Sequence, residues 1–240
     1  MGVESTMFVS VVIPAFNEER YLGACLRALH KQTYPADHYE MIVVNNASTD
    51  ATATVARRHG AHVVWEPQRG IARARQAGFR AAKGEIIAST DADTVVPPDW
   101  IERIVTDFEA HPEWGGLYGP VHWPEGQLHE RLIMRYPITW ILALSNRLGR
   151  SYWIGSNFAV RRDPFWQVGG FNEAWESGED GELALRMGRI TQIGFDPKLV
   201  VYSSNRRVRE GAWSLFRRTL LSRYRTMVLR QTPLPPPAIR

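Results

Sequence analysis

GEIIASTDAD, residues 84–93, decides how this chain is read. Ile86, Ile87 and Ala88 make a short apolar run of the kind that fills a buried strand, and Gly84 sits before it where a helix-ending glycine belongs. The run then gives way to Asp91-Ala92-Asp93. In extended backbone, residues i and i+2 project to the same side, so both carboxylates face one place. Two close carboxylates repel unless a cation lies between them, and a divalent ion with oxygen ligands is the common solution. Because Mg2+ and Mn2+ also coordinate phosphate oxygens, the pair points to a diphosphate ligand. A lone Asp-x-Asp triplet is more often a surface loop or a helix cap; the buried strand in front of this one turns the reading toward a site.

Outward from that stretch, the first half alternates β-rich runs with amphipathic segments, the signature of a parallel sheet covered by helices. Strands are expected at 8–13, 41–44, 62–65 and 85–90, with helices from Asn17, from Ser48 to His59, from 71 to 83, and after Pro97-Pro98-Asp99. Asn17 and Ser48 are the expected caps, Glu18 and Glu19 fall in a first turn, and Gly60 follows a helix end. Later segments are read as a strand at 117–121, a helix at 128–148, an extended stretch at 153–160 and a helix from Glu179. Strands at 192–195 and 198–202 and a tail helix at 212–229 complete the reading. In open sheets of this kind ligands sit beyond the carboxyl ends of the strands. Three polar clusters fall there: Ala15–Asn17, Asn45–Asp50 and Asp91–Asp93.

Composition narrows the class. The 240 residues, 44% hydrophobic and 22% charged, suit one globular core. The single cysteine, Cys25, excludes an intrachain disulfide and a multi-cysteine metal site, and suits a reducing compartment. Neither a membrane-spanning run nor a secretory leader is read, so the expectation is a cytoplasmic protein, soluble or peripheral at the inner face of a membrane. The net charge of +4 conceals nine arginines and one acid in residues 206–240, on a body with twenty basic and twenty-four acidic side chains. Such a tail suits an anionic partner, a phosphorylated substrate or a membrane surface, and equally a solvated helix.

Six stretches in order resemble a family 2 glycosyltransferase of GT-A fold: VVIPAFNEE (11–19), VVNNASTDAT (43–52), QRGIARARQAG (68–78), GEIIASTDAD (84–93), GSNFAVRRDPFWQVGGFNE (155–173) and SGEDGELALRMGRI (177–190). The resemblance implies an α/β, Rossmann-like, mixed but mostly parallel sheet flanked by helices in one domain. A nucleotide-sugar half is expected at about 8–115 and an acceptor half at about 116–205, followed by the basic, Pro-rich tail at 206–240. It implies inverting transfer of one sugar from a nucleotide-diphosphate sugar to an acceptor hydroxyl, within cell-envelope glycan synthesis, with Mn2+ or Mg2+. Carried over by position, Pro14, Ala15 and Glu18 line the nucleoside pocket, Asn45 reads the base, Arg75 with the Gly70 and Gly78 turns borders the nucleotide, and Asp91 contacts ribose or metal. Asp93 holds the metal and Asp180 is the catalytic base. Glu179, Trp153 and Trp175 are expected on the acceptor side, since a carboxylate and flat aromatic faces suit a sugar. The acceptor is expected to be a carbohydrate or lipid-linked, with peripheral membrane contact through the tail.

Three features depart from the family pattern. Asn45 stands where Asp is usual, no histidine follows the base (Ser203 or Asn205 being the nearest substitutes), and the Gln-x-x-Arg-Trp segment of processive synthases is missing. Arg161 and Arg162 are either surface charge or phosphate ligands, and Gly169-Gly170 reads as a tight turn. A non-catalytic nucleotide- or glycan-binding relic of the same fold is the alternative. A pyrophosphorylase or a Rossmann oxidoreductase lacks its glycine-rich loop here, and no nucleic-acid module accompanies the basic tail.

Overall fold

The computed structural model describes residues 7–123, 139–147, 151, 153–175 and 177–204. Its centre is a seven-stranded sheet in the order β3-β2-β1-β4-β8-β6-β9. These strands are β1 (Val9–Ala15), β2 (Tyr39–Asn45), β3 (His62–Trp65), β4 (Ile86–Ser89), β6 (Trp114–Tyr118), β8 (Phe158–Arg161) and β9 (Gln192–Phe195). Strands β3, β2, β1 and β4 run parallel; β8 enters antiparallel to both β4 and β6, and β9 is parallel to β6. The sheet is therefore continuous across residue 115, where the two expected halves meet.

Period-two side chains feed two cores. Val9, Val11, Ile13, Ile86 and Ala88 point to one face, where α1 (Leu22–Leu29), α2 (Thr52–Arg58) and α4 (Trp100–Ala110) pack. Val12, Ile42, Val44 and Ile87 point to the other, beneath α3 (Ile71–Ala81), α6 (Arg162–Gln167) and α7 (Glu179–Met187). Another helix, α5 (Thr139–Arg147), is the described part of the expected 128–148 helix. Burying these strands on both faces is what makes them read as near-continuous apolar runs. Gly78 lies inside α3 rather than in a turn, and a Cβ there would drive into Val12 and meet Val44 Cγ2 at 2.8 Å. Cys25 is buried in α1, where burial pushes its thiol up and leaves it inert.

The chain runs β1, β2, β3 to one side and returns to β4 on the other, so the topological switch lies between the carboxyl ends of β1 and β4. Pro14, in a central strand that ordinarily excludes proline, sits beyond the point where β4 stops pairing at Val12↔Ser89. A second, three-stranded sheet, β5-β10-β7, is built from β5 (Thr94–Val95), β7 (Val121–His122) and β10 (Val201–Ser203). Neither β5 nor α6 was expected: a two-residue strand and a six-residue helix are too short to show a period. No helix of the described residues is long and apolar enough to cross a membrane. The tail helix expected at 212–229, and Asn205, lie outside the described residues.

Candidate active site

The loops after β1 and β2 are sewn together. Ala15 and Asn45 form the last register pair of the two strands, and the Asn46 N–H donates to the Ala15 carbonyl at 2.9 Å. Asn17 takes a left-handed conformation (φ 55°), donates its N–H to Ser48 Oγ at 3.0 Å and accepts from Thr49 N–H at 2.9 Å. Glu18 N–H donates to Thr52 Oγ1 at 2.8 Å. The expected caps are thereby corrected. Helix α1 starts only at Leu22, because left-handed backbone at Asn17 leaves the helical path and its amide serves the neighbouring loop. Ser48 is likewise spent on Asn17, and Asp50 Oδ1 takes the Thr52 N–H at 2.9 Å.

Asn45 is 4% exposed and its Oδ1 accepts from Ser48 N–H at 3.0 Å. Its neighbour Asn46, which sequence reasoning passed over, staples residues 66–70 to the site. Its Nδ2 donates to the carbonyls of Glu66 (3.1 Å) and Gln68 (2.7 Å), and its Oδ1 accepts from Gly70 N–H (2.9 Å). Two adjacent asparagines carry no signal of which one turns inward.

Arg75 is the centre of the arrangement. It is 3% exposed on α3, donates through Nη2 to Asp91 Oδ1 at 3.0 Å, and donates through Nη1 to Glu179 Oε1. These partners lie 16 and 104 residues away in sequence. Arg75 joins the carboxylate after β4 to the acidic start of α7. Gly155 packs against it so tightly that a Cβ there would meet the guanidinium carbon at 2.8 Å. The Gly155 backbone N–H also donates to the Asp180 carboxylate, as does that of Gly181 at 2.7 Å. Burial raises the Asp180 pKa, opposed by Arg75 and by these two N–H donors and aided by Asp91. Burial likewise pushes Glu179 up, to about 7, against the pull of Arg75.

Two acceptor-side expectations change. Glu179, 3% exposed, turns inward and is committed to Arg75, because a buried guanidinium needs carboxylate partners. Trp153 is 0% exposed and stacks on Phe158 at 5.1 Å, so it offers no face to a sugar; its neighbours are core residues. Trp175 is half-buried in the loop after Phe171. Arg161 and Arg162 serve backbone carbonyls, of Phe108 and Trp114 and of Lys83 respectively, rather than a site. Gly169 and Gly170 do turn the chain through positive φ, at 85° and 72°.

Asp93 meets Ser204, whose Oγ donates to Asp93 Oδ2 at 3.1 Å. The register pairs Ser203 with Thr94, so Ser204 and not Ser203 stands opposite Asp93. Two hard oxygens about 3 Å apart match one edge of an octahedron with metal–oxygen bonds of about 2.1 Å, so this donor set fits Mg2+ or Mn2+. Among the described residues no three His, Cys, Asp or Glu side chains converge on one point. An ion here would complete its shell with phosphate oxygens and water, as Mg2+ commonly does.

This geometry agrees with comparison to known proteins. The family model for glycosyl transferase family 2 matches residues 10–169. The chain belongs to glycosyl transferase family 2. Among family relatives, it is 37% identical over 105 residues to glycosyltransferase AglE of Haloferax volcanii, covering 41% of this chain and 34% of that one. It is 42% identical over 120 residues to the uncharacterized glycosyltransferase Rv0539 of Mycobacterium tuberculosis, covering 48% and 52%. The chain thus spans about a third to a half of the length of these relatives. Among solved structures, the mannosyltransferase PcManGT of Pyrobaculum calidifontis, in complex with GDP-Man and Mn2+, superposes with a TM-score of 0.76. It is 25% identical, covering 97% of this chain and 67% of that one. The family 2 fold is therefore the GT-A type, and the six sequence stretches lie on β1, β2, β4 and β8 with the segments that follow them, and on α3 and α7.

Proposed function

We propose that this family 2 chain transfers one sugar, with inversion, from a nucleotide-diphosphate sugar to an acceptor hydroxyl. The observation that carries the reading is the Arg75 bridge, whose buried guanidinium joins Asp91 to Glu179, the neighbour of Asp180. Pro14, Ala15 and Asn45 stand at the carboxyl ends of β1 and β2 and Glu18 in the loop after β1, and ligands of such sheets sit beyond these strand ends, which supports a nucleoside there. Asp93 and Ser204 would hold Mn2+ or Mg2+. When bound, that ion neutralises negative charge developing on the leaving diphosphate.

Asp180 is the base. The acceptor hydroxyl loses its proton as its oxygen attacks the anomeric carbon, and a carboxylate of raised pKa is a better proton acceptor near neutral pH than an ordinary one. Attack from the face opposite the leaving diphosphate inverts the anomeric centre. Glu179 and Arg75 position Asp180 by fixing the first turn of α7. The similarity to PcManGT, solved with GDP-Man and Mn2+, supports a nucleotide-sugar donor. The arginine-rich tail suits an anionic surface and with it a lipid-linked acceptor.

Calorimetric titration with UDP, GDP and dTDP, with and without Mn2+, on wild type and Asp93→Ala, tests the donor site. One nucleotide binding only with metal, and lost in the variant, is the expected result. No binding of any nucleotide under any metal condition overturns the reading and brings the non-catalytic relic forward.

A further inference from the structure

The small β5-β10-β7 sheet does more than hold Ser204 against Asp93. Its register sets Val95, Tyr202 and His122 directly opposite one another across the three strands. Directly opposed residues project to the same face. The burial pattern says which face that is: Thr94, Val121 and Val201 are turned inward at 0–4% exposure, whereas Val95 and Tyr202 are 41% and 43% exposed. The Tyr202 and His122 rings lie edge to face, with centroids 6.2 Å apart.

The same face carries the oxygen pair. Asp93 stands two residues before Val95 and Ser204 two residues after Tyr202, and the Ser204 N–H donates to the Asp93 carbonyl at 3.2 Å, continuing the ladder by one step. At about 3.3 Å per residue, the aromatic row lies about 7 Å along the strands from the oxygens that suit a metal-bound diphosphate. The platform therefore has an apolar aromatic face, most open at Tyr202, and a valine methyl edge, with His122 half-buried and its Nε2 turned away from solvent. That combination matches the C–H face of a pyranose.

We propose that Val95, Tyr202 and His122 form a pyranose-binding platform beside the diphosphate site, with the Tyr202 ring as its stacking surface. This rests on the donor-site reading of Asp93 given above. A pyranose there belongs either to the nucleotide sugar or to the acceptor, and the chemistry that binds it is the same.

The test uses Tyr202→Ala and Tyr202→Phe in the full chain with Mg2+. One arm compares by calorimetry GDP with GDP-mannose and UDP with UDP-glucose. The other follows methyl α-D-mannopyranoside and methyl β-D-glucopyranoside by saturation-transfer NMR in the presence of GDP or UDP. Tyr202→Ala is expected to weaken one arm by about tenfold while Tyr202→Phe keeps the ring and the affinity. A loss confined to the nucleotide sugar, with the free diphosphate unchanged, assigns the platform to the donor sugar; a loss confined to the methyl pyranosides assigns it to the acceptor. Unchanged binding in both arms overturns the platform, as does an equal loss for the free diphosphates, which marks Tyr202 as merely structural. Wild type that binds no diphosphate overturns the donor-site reading instead, and leaves the platform to be decided by the pyranosides alone.

Discussion

At the scale of single residues, one buried guanidinium faces three acids. Arg75 bonds Asp91 and Glu179 and lies close enough to Asp180 to oppose the rise in its pKa. On the proposal that Asp180 is the base it must be ionised, so kcat/KM is expected to rise with pH through a limb above the ordinary carboxylate range, near 3.8. Arg75→Met removes a charge that favours the ionised form, and the limb should move to higher pH; a limb that stays put or moves down refutes the coupling. Asp180→Asn should cost roughly 10²–10⁴-fold in transfer while nucleotide binding, read by calorimetry, persists. The residue types here were legible in the sequence, because Asp91-Ala92-Asp93 and Glu179-Asp180 are local patterns. Which acid Arg75 would hold was not, because the partners are 16 and 104 residues away and nothing local names them.

At the scale of elements, α4 and the end of β9 press two carboxyls together. Burial, and then the Asp196 charge, push Asp107 up to about 6, with Arg103 and His111 pulling the other way. A carboxylate raised from 3.8 binds more protons in the folded than in the unfolded chain between those values. Stability from this pair is therefore present below pH 4 and lost as pH rises to about 6. Asp107→Asn should flatten that slope and make the protein more stable at pH 7, by about 1 kcal/mol after solvent screening. Urea melts from pH 4 to 7 check it, and a variant less stable at pH 7 contradicts it. An element with a long period, such as α3, was readable to within a few residues, and so was the start of α4. The caps at Asn17 and Ser48 were not, since a side chain that can cap a helix can equally bond the next loop, and proximity decides.

At the scale of the whole molecule, the site is assembled from the ends of β1, β2 and β4, from α3, from the start of α7 and from the end of β10. A ligand that spans these parts stabilises all of them. Nucleoside diphosphate at a hundredfold excess over Kd, with Mn2+, should raise unfolding free energy by about 2.7 kcal/mol, seen as a Tm increase of several degrees by calorimetry. The same increase without metal, or in Asp93→Ala, would count against metal-assisted binding. The sequence by itself determined the alternating α/β order, the strand-end polar clusters and the acidic pairs at 91–93 and 179–180, because periodicity and spacing are local properties. Only the tertiary structure decided the rest: Glu179 inward on Arg75, Trp153 in the core, Ser204 opposite Asp93, and the Val95–Tyr202–His122 row beside it. Each of these depends on strand register or burial between segments far apart in the chain, and neither quantity exists until the chain has packed.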